Sequence, residues 1–490
     1  MQVITEPEKQ IPVLAKVDVV VAGAGPTGFA AAVAAARNGA EVMLVEKENY
    51  VGGLLTCLPI LGFYNYQGQQ LIYGIADELV QRLVERGGSP GHIVDSRLTS
   101  VTVVDSETTK IVTQQICEEA GVKLLFHTMV SAPVMEGNRV TGLIVECKSG
   151  RQAILAEVVI DATGDGDVAA RAGAEFQIKD RESQQPGNLI FRMDHVNVDK
   201  IRLAVAKSPD KARTIAGFGP GADHFLKAER FVLDGFTEEL AKARENSDIP
   251  PDYPMRWVII VTQPREDEVA VNMAMAARFQ SIDALDLTRA EMEGRRFIPI
   301  VVDFLRKYIP GFAHAQLIAS HSVMGVRESR RIVGGATLLP EDVMQNRRHE
   351  DGVAIAPWGL SLGHHPQGKV WDKEYYTKRF PREGLKGCEV RYGCLLPKGI
   401  EGLLVAGRCI STTPESQNAI RVMAPCMSLG QAAGTAAAMA TKEAVTPRQL
   451  DAKRIRKQLA EQGAPLLTEQ DSGCPAHIPR MPTPACSRGR

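Results

Sequence analysis

The first fifty residues alternate between short apolar runs and one helical stretch. Residues 17–21 read VDVVV, a β-branched run typical of a strand buried on both faces. From Pro26 to Asn38 the sequence is rich in alanine and ends at Gly39, which predicts a helix. Residues 41–46, EVMLVE, return to an apolar strand pattern. This order predicts a β-α-β unit at the start of the chain.

Helical and strand patterns then follow in separate blocks. Two amphipathic stretches between residues 70 and 125, ADELVQRLVERGG and TKIVTQQICEEAG, predict surface or connecting helices that end at glycine. Strand patterns at 122–130, 139–147 and 153–164, with a turn at residues 136–138, predict a β-meander with a final buried strand.

The middle of the chain has a different texture, with more aromatic residues and prolines. It holds a strand pair, RWVIIVTQ and EVAVNMAM, and a long helical pattern from Leu287 to Tyr308. The strand-like GLLVAGR and the small-residue helix SLGQAAGTAAAMA then resemble the opening unit again. We predict four segments: a first domain at 1–174, a substrate or cap domain at 175–385, a return to the first domain at 386–445, and a C-terminal helix with a flexible tail at 446–490.

Composition narrows the possible partners. The chain has 490 residues, with 57 basic against 58 acidic, so it offers no electrostatic footprint for nucleic acid or an anionic membrane. A small-molecule substrate is the simpler expectation. No apolar stretch predicts a membrane span and no secretory signal is visible, so we expect a cytoplasmic protein. The nine cysteines form no C-x-x-C pair, and we expect no metal site.

A glycine motif carries the first chemical signal. Gly23, Gly25 and Gly28 form G-x-G-x-x-G directly after the first strand and at the opening of the helix. The helix N-terminus can hold a diphosphate with its unpaired N–H groups, worth roughly 1 kcal/mol from the helix dipole alone. Glu46 ends the second strand, where a carboxylate can accept hydrogen bonds from an adenosine ribose. The motif predicts a dinucleotide site but does not separate NAD from FAD.

Four further segments separate these cofactors by resemblance. They are VGGLLTC after Glu46, VVIDATGDGDVAARAGAEF at 158–176, HSVMGVRESRRIVGG at 321–335 and the stretch from 402 to 438. Together they resemble the FAD-dependent oxidoreductase family related in fold to the glutathione reductase and succinate dehydrogenase/fumarate reductase flavoproteins. The resemblance implies an α/β fold: a Rossmann-like FAD-binding domain, with a parallel sheet plus a β-meander, and an inserted α+β substrate domain.

The glycine motif and the resemblance together imply a set of cofactor contacts. Gly53, Leu54 and Thr56 are expected beside the diphosphate and flavin, and Val130 at the adenine. The segment 421–427 is expected along the isoalloxazine, with a helix from Ser428 pointing its N-terminus at the flavin N1 and C2 carbonyl. The full set is Gly23, Gly25, Pro26, Thr27, Gly28, Glu46, Lys47, Gly53, Leu54, Thr56, Val130, Thr163, Gly164, Asp165, Gly407, Arg408, Arg421 and Met423.

FAD is expected to bind without a covalent link. Related fumarate reductases attach flavin through a histidine before the double glycine, and this chain reads ENYVGG there. Cys57 is near enough in sequence to raise a cysteinyl link, but a free structural cysteine is the preferred interpretation. No second G-x-G-x-x-G follows a strand, so a separate NAD(P)H domain is not expected.

The catalytic candidates come from three places. His364 and His365 lie in WGLSLGHHPQG, and the resemblance matches His365 to the histidine of an Asp-x-His pattern, although Gly363 replaces the acid. An exposed loop histidine is the alternative. Arg327 and Arg330 could share a helix face and clamp a carboxylate, or bridge domains through salt links. Tyr392 could line the pocket.

These observations predict an FAD-dependent oxidoreductase, a dehydrogenase or oxidase, that transfers a hydride between a small polar organic substrate and flavin N5. The direction and the electron acceptor, whether oxygen, a quinone or a carrier, stay open, and a homo-oligomer is possible. Two alternatives remain: a flavin monooxygenase, and a flavin-binding electron-transfer subunit of a larger complex. A tRNA-modifying flavoprotein is disfavoured by the balanced charge.

Overall fold

The computed structural model describes residues 3–57, 60–95, 99–212, 222–251, 253–255, 257–360 and 384–467. In these ranges the strands are β1 (Val13–Ala22), β2 (Val42–Val45), β3 (Ile60–Leu61), β4 (His92–Asp95), β5 (Thr99–Val103), β6 (Lys123–Leu125), β7 (Met129–Glu136), β8 (Arg139–Cys147), β9 (Gly150–Asp161), β10 (Phe176–Gln177), β11 (Gly187–Asp194), β12 (Val232–Gly235), β13 (Val258–Thr262), β14 (Val269–Ala276), β15 (Gln316–Ser320), β16 (Arg331–Ile332), β17 (Gly352–Ala356), β18 (Cys388–Arg391) and β19 (Leu403–Val405).

The helices of the same ranges are α1 (Pro26–Arg37), α2 (Ile75–Glu85), α3 (Ser106–Glu119), α4 (Asp167–Arg171), α5 (Val198–Lys207), α6 (Ala222–Lys227), α7 (Thr237–Glu245), α8 (Ala284–Tyr308), α9 (Pro340–Met344), α10 (Pro414–Ile420), α11 (Met423–Glu443) and α12 (Ala452–Glu461). Short 3₁₀ turns cover Gly53–Thr56, Pro209–Lys211, Tyr392–Leu395 and Pro447–Gln449.

The main sheet is parallel at its centre. Its order is β6-β2-β1-β9-β8-β7, with β19 on the C-terminal half of β9. β1 pairs in parallel with β2 and β9, and Val19, Val20 and Val21 are fully buried between the layers. The predicted β-α-β unit is confirmed, because α1 connects β1 to β2 as a crossover helix. This topology places the carboxyl ends of β1, β2, β9 and β19 along one edge.

The predicted meander is confirmed, with one correction. β7, β8 and β9 pair antiparallel in sequence order. The expected single strand at 122–130 is wrong, because β6 pairs in parallel with β2 whereas β7 begins at Met129 and pairs with β8. The chain turns between them at His127, which has a φ of 53°. A residue with a left-handed backbone conformation interrupts a strand, and the pattern of apolar residues does not predict this conformation.

A second sheet forms the inserted α+β unit. Its order is β12-β13-β14-β11-β15, and the predicted strand pair is the antiparallel β13 and β14. The long helix α8 packs against this sheet through residues such as Val301 and Leu305. α8 begins with Asp283, whose carboxylate accepts a hydrogen bond from the N–H of Asp286 at 2.8 Å.

The two hydrophobic cores show where the chain leaves and rejoins the first unit. The second core is built from residues between Leu189 and Met324. Ile332, Leu338 and the buried strand β17 already pack in the first core. The chain therefore rejoins the first core near residue 332, well before the predicted segment boundary at 385.

The small-residue helices α1 and α11 pack directly on each other. A Cβ added at Gly430 would collide with the carbonyl oxygen of Thr27, and one added at Gly434 with that of Ala31. α11 begins at Met423 and not at the expected Ser428. Its third residue is Pro425, which a first helical turn tolerates because its missing N–H would have no partner there. None of the helices in the described ranges is both long and apolar enough to cross a bilayer.

Candidate active site

The loop between β1 and α1 depends on its three glycines. Gly23 has a φ of 92°, and a Cβ there would lie 2.9 Å from the carbonyl oxygen of Ala162. A Cβ at Gly28 would collide with the carbonyl oxygen of Gly23, so the helix can approach the strand only with glycine at this position. Pro26 opens α1, and no side chain caps its first N–H groups. These donors remain available to an anion.

Open space lies directly over this helix end. Nothing lies within 4 Å of a Cβ added at Gly25, which has extended backbone angles of φ −66° and ψ −174°. The 3₁₀ turn Gly53–Thr56 approaches from the other side, because a Cβ at Gly53 would lie 2.9 Å from the Cα of Gly25. The two backbones enclose a cradle that a diphosphate fits.

The carboxylate of Glu46 is held at the end of β2. It is buried and accepts hydrogen bonds from the N–H of Ala24 at 2.6 Å and of Glu48 at 2.9 Å. These bonds fix its position next to the glycine loop, as a ribose contact requires. Lys47 has its own partner, since its ammonium pairs with Glu48 at 2.7 Å.

The 3₁₀ turn is stabilised by its own side chains. Thr56 Oγ1 donates to the carbonyl oxygen of Gly53 at 2.8 Å, and the Cys57 thiol donates to the same oxygen at 3.0 Å. Burial raises the pKa of Cys57 to about 12, so the thiol is protonated at neutral pH. Leu54 lies partly exposed on this turn. This environment supports a structural cysteine over a reactive one.

The end of β9 forms a second ordered turn. The buried Asp161 carboxylate accepts from Thr163 Oγ1 at 2.7 Å, the Thr163 N–H at 3.1 Å and the Ala169 N–H at 2.9 Å. Burial raises the pKa of Asp161, and its three donors counteract this shift. Thr163, Gly164 and Asp165 are thereby held at the same edge of the sheet as the glycine loop.

The return segment brings a cation to this turn. Arg408 follows β19 and pairs with Asp165, and its Nη1 would lie 3.1 Å from a Cβ at Gly164. A Cβ at Gly407 would lie 2.6 Å from Thr27 Oγ1 on α1. Met423 begins α11, the helix that packs on α1. The expected cofactor residues of three chain segments thus meet at one place.

Val130 and Met423, two of the expected cofactor contacts, are both buried but lie on different elements. Val130 is buried on β7, and its carbonyl oxygen accepts from Arg171 Nη1 at 3.4 Å. Met423 is buried at the first position of α11, a helix whose N-terminus has no side-chain cap. The free N–H groups of this helix therefore start at residue 423 and not at Ser428.

The motif GVRESRR forms no helix, so the expectation that Arg327 and Arg330 share a helix face is wrong. Arg330 pairs with Asp167 at 2.9 Å and donates to the carbonyl oxygen of Asp165 at 3.1 Å. Arg327 instead donates to the carbonyl oxygen of Pro186. The partners of the two arginines lie on different segments of the chain, which separates the two guanidinium groups.

Arg421 lies on the return segment. It ends α10, and its Nε donates to Asn418 Oδ1 at 2.6 Å. Burial lowers its pKa to about 10. Burial and, in addition, the positive charge of Arg421 lower the pKa of Arg327 to about 9. Both guanidinium groups remain charged at neutral pH.

The remaining catalytic candidates have different outcomes. Tyr392 is buried in the first core, and its hydroxyl donates to the carbonyl oxygen of Pro447 at 2.8 Å, which indicates a structural role. Burial raises the pKa of this phenol far above its ordinary value. His364 and His365 lie outside the described residues. Across the described ranges, no group of His, Cys, Asp and Glu side chains forms a metal site.

The profile of the family described as FAD dependent oxidoreductase matches residues 18–459. The chain belongs to this family. It is therefore an enzyme that uses FAD, as its glycine loop, Glu46 and the cradle at Gly25 indicate.

Two curated relatives are similar to part of this FAD-dependent oxidoreductase. Thiamine thiazole synthase of Aeropyrum pernix is 34% identical over 169 residues, which cover 32% of this chain and 58% of the relative. Digeranylgeranylglycerophospholipid reductase 1 of Methanococcoides burtonii is 25% identical over 33% of this chain and 41% of the relative. The alignments thus span less than two thirds of either relative.

Solved structures resemble it more weakly. A geranylgeranyl bacteriochlorophyll reductase-like protein from Thermoplasma acidophilum covers 92% of this chain and 84% of its own, with 13% identity and a TM-score of 0.47. The flavin-dependent brominase Bmp2 has a TM-score of 0.43 and 15% identity, over 91% of this chain and 83% of its own. Neither likeness bears on the reaction.

Sequence reasoning missed two features of this oxidoreductase's site. Asp161 organises the turn after β9. The sequence could have indicated this residue, because an acid at the end of the apolar run VVID is unusual and needs hydrogen-bond donors around it. Glu328 is 2% exposed and pairs with Lys179 at 2.8 Å, a contact between residues 149 positions apart that no local pattern reveals.

Proposed function

We propose that this oxidoreductase transfers a hydride between a small polar organic substrate and the N5 atom of FAD. Bound FAD supplies a two-electron acceptor or donor for this step. The proton that accompanies substrate oxidation goes to a nearby base. The proposal concerns the half-reaction between substrate and flavin, and the second electron partner is left open.

The observation that carries the proposal is a group of buried charged side chains at residues 327–331. Here the chain passes from the inserted unit back to the first unit, a place called the junction below. Arg327, Glu328 and Arg331 are 8%, 2% and 4% exposed and follow one another closely in the chain that crosses this junction. Within the described residues, Nε and Nη1 of Arg331 have no hydrogen-bond partner. An isoprenoid or aromatic substrate here would leave these two donors of Arg331 without a polar partner, which is unfavourable by several kcal/mol. A polar substrate avoids this cost.

The residues that would hold FAD follow from their positions. The N–H groups at the start of α1, with Gly25 and Gly53 leaving room, would bind the diphosphate, and Glu46 the adenosine ribose. The free N-terminus of α11 would stabilise negative charge at the flavin ring. Thr163 to Asp165 and Arg408 would support the ribityl side.

His365 is the proposed proton acceptor. Histidine suits this role because its ordinary pKa lies near neutrality. The support for this assignment is the sequence match described above, and His364 is the neighbouring alternative.

An anaerobic screen of the FAD-loaded enzyme tests the proposal. Pools of small polar metabolites are added, and reduction is followed as bleaching of the oxidised flavin band near about 450 nm. Bleaching by one polar compound, at a rate that saturates with its concentration, is the expected result. Rapid bleaching by NADPH alone would favour a monooxygenase, and a flavin inert to all small molecules would favour an electron-transfer subunit.

A further inference from the structure

Two asparagines interrupt the apolar inner strands of the second sheet. Asn188 lies on β11 and is 6% exposed, and Asn272 lies on β14. Asn188 Nδ2 donates to Asn272 Oδ1 at 2.7 Å, which joins carboxamides 84 positions apart. Among the described residues, neither carboxamide makes a further hydrogen bond. The pair therefore keeps polar groups that need a partner, since each one left unpaired in an apolar site costs about 1–3 kcal/mol.

The carboxamide pair lies on the face of the second sheet that is turned away from α8. Leu189 points toward α8, because a Cβ added at Gly294 would lie 2.8 Å from Leu189 Cδ1. Side chains alternate along a strand, so Asn188 and Ile190 share the opposite face, where Ile190 packs against β5. β5 pairs with β3, which begins four residues after the 3₁₀ turn Gly53–Thr56. This face is therefore turned toward the first unit.

A β-bulge places Asn272 at an opening on this face. The pairing of β11 with β14 shifts between Leu189 and Phe191, which leaves β14 with one extra residue at positions 272–273. Bulges re-aim side chains and are frequent beside active sites. Asn272 is partly exposed, whereas the seven other residues of β14 are buried. Because β13 and β11 flank this strand and α8 packs on one face, solvent reaches Asn272 from the side of the first unit.

The chain that returns to the first unit borders the same opening. The N–H of Gly325 donates to the carbonyl oxygen of Asn188 at 2.8 Å. A Cβ added at Gly325 would lie 2.6 Å from Asn188 Oδ1, so only glycine leaves room for this oxygen. Four residues later, Ser329 Oγ donates to the carbonyl oxygen of Gly164 at 3.4 Å. A short segment thus connects the carboxamide pair to the turn after β9, where cofactor contacts are expected.

We propose that Asn188 and Asn272 bind an uncharged group of the substrate that carries both a hydrogen-bond donor and an acceptor, such as a carboxamide. This inference rests on the proposed function and narrows its substrate class. The bond between the two side chains leaves an N–H donor on Asn272 and a carbonyl acceptor on Asn188. Exchanging O and N in both side chains again leaves one donor and one acceptor. A carboxylate could use only the donor and an ammonium group only the acceptor, whereas a carboxamide uses both.

The test measures binding of three isosteric probes and not turnover. Acetamide, acetate and acetamidinium are titrated into the FAD-loaded enzyme at neutral pH, and saturation-transfer NMR gives a dissociation constant for each. In Asn272→Asp the carboxylate can still accept from Asn188 Nδ2, but the free donor becomes an acceptor. In Gly325→Ala the added methyl group displaces Asn188 Oδ1 and leaves both asparagines in place. Asn246→Ala is the control, an exposed asparagine whose Nδ2 donates to the Tyr308 hydroxyl at 2.7 Å.

We expect the parent and the control to bind acetamide more tightly than acetate or acetamidinium. Asn272→Asp should bind acetamide at least about tenfold more weakly and should prefer acetamidinium, an inversion that a purely structural asparagine would not produce. Gly325→Ala should also bind acetamide more weakly, and it decides the test if Asn272→Asp loses FAD. The proposal is overturned if the parent shows no saturable binding or prefers acetate, or if acetamide binds the variants as tightly as the parent.

Combined with the anaerobic screen, the outcomes separate the two proposals. A carboxylate without a carboxamide or hydroxyl group that bleaches the flavin at the same rate in the parent and in Gly325→Ala would refute the carboxamide site and leave hydride transfer in place. Asparagine-dependent binding of amides, in an enzyme whose flavin no small polar compound reduces, would support the site and refute hydride transfer.

Discussion

Replacing Gly25 by alanine should strongly weaken FAD binding without unfolding the protein. The backbone at Gly25 is extended and suits any L-residue, and no atom lies within 4 Å of the added methyl group. The change in the free energy of unfolding of the apoprotein should therefore stay within about 1 kcal/mol. Alanine lowers the conformational entropy of the unfolded chain, and this effect favours the folded variant. The methyl group would instead occupy the cradle over the start of α1.

The loss of FAD affinity follows from the donors of that helix end. A displaced diphosphate loses hydrogen bonds from uncapped N–H groups, each worth about 1.5–3 kcal/mol with a charged acceptor. Two such bonds correspond to about 3–6 kcal/mol, or roughly 10²- to 10⁴-fold in the dissociation constant. At the same FAD concentration, FAD should then raise the unfolding temperature of the variant less than that of the parent, because ligand stabilisation depends on the ratio of concentration to dissociation constant.

Gly39→Ala is the matched control at the other end of α1. Gly39 has a φ of 92° and also has open space around it, so alanine is strained there but touches nothing. A loss of about 1–2 kcal/mol of stability with unchanged FAD stoichiometry is expected. Flavin fluorescence titration and thermal unfolding of apoprotein and holoprotein measure both variants. A Gly25→Ala protein that binds FAD as tightly as the parent would refute the diphosphate site.

Three further predictions concern other residues. Cys57 should resist iodoacetamide in the native protein at pH 8, since a pKa of about 12 leaves a thiolate fraction on the order of one in 10⁴. Mass spectrometry of the alkylated peptides compares Cys57 with the partly exposed Cys147. Labelling of the two cysteines at equal rates would contradict the prediction. Arg456→Ala should destabilise the packing of α12 by about 3–5 kcal/mol, because it leaves the fully buried Glu389 without the guanidinium that lies 2.8 Å from its carboxylate. Hydrogen exchange of the amides of α12 measures the effect. Exchange at the rates of the parent would disprove the prediction. His365→Ala should retain FAD but slow its anaerobic reduction by about 10²- to 10⁴-fold, and reduction at the parent rate in stopped flow would remove this residue from the mechanism.

Local patterns were sufficient for elements whose neighbours are close in sequence. The run VDVVV, the alanine-rich helix after Gly25 and the acid at residue 46 predicted the β-α-β unit, and the structure confirms it. The meander and the β13–β14 pair were also predicted correctly. In each case periodicity or a turn residue carries the information, because the partner strand or helix follows directly along the chain.

The same reasoning failed where backbone conformation departs from the side-chain pattern. His127 bends the chain inside an apolar run, and Pro425 fits in the first turn of α11 although proline usually marks a helix boundary. GVRESRR has helical spacing of its arginines but forms no helix where it passes between the two units. Hydrogen bonds to Gly164 and Cys409 replace the bonds that a helix would have made within the segment.

The order of residues alone therefore predicts a dinucleotide-binding protein, because a diphosphate site needs a glycine loop, a helix end and an acid that are all close in the sequence. The choice of FAD came from the resemblance of further segments to a known family. The arrangement of charges at the junction could not be predicted in this way. Arg330 pairs with Asp167 and Glu328 pairs with Lys179, across separations of about 150 to 160 residues, whereas Arg327 donates to the carbonyl oxygen of Pro186. Which charges are neutralised depends on how the folded units bring distant segments together, and that is a property of their packing in three dimensions.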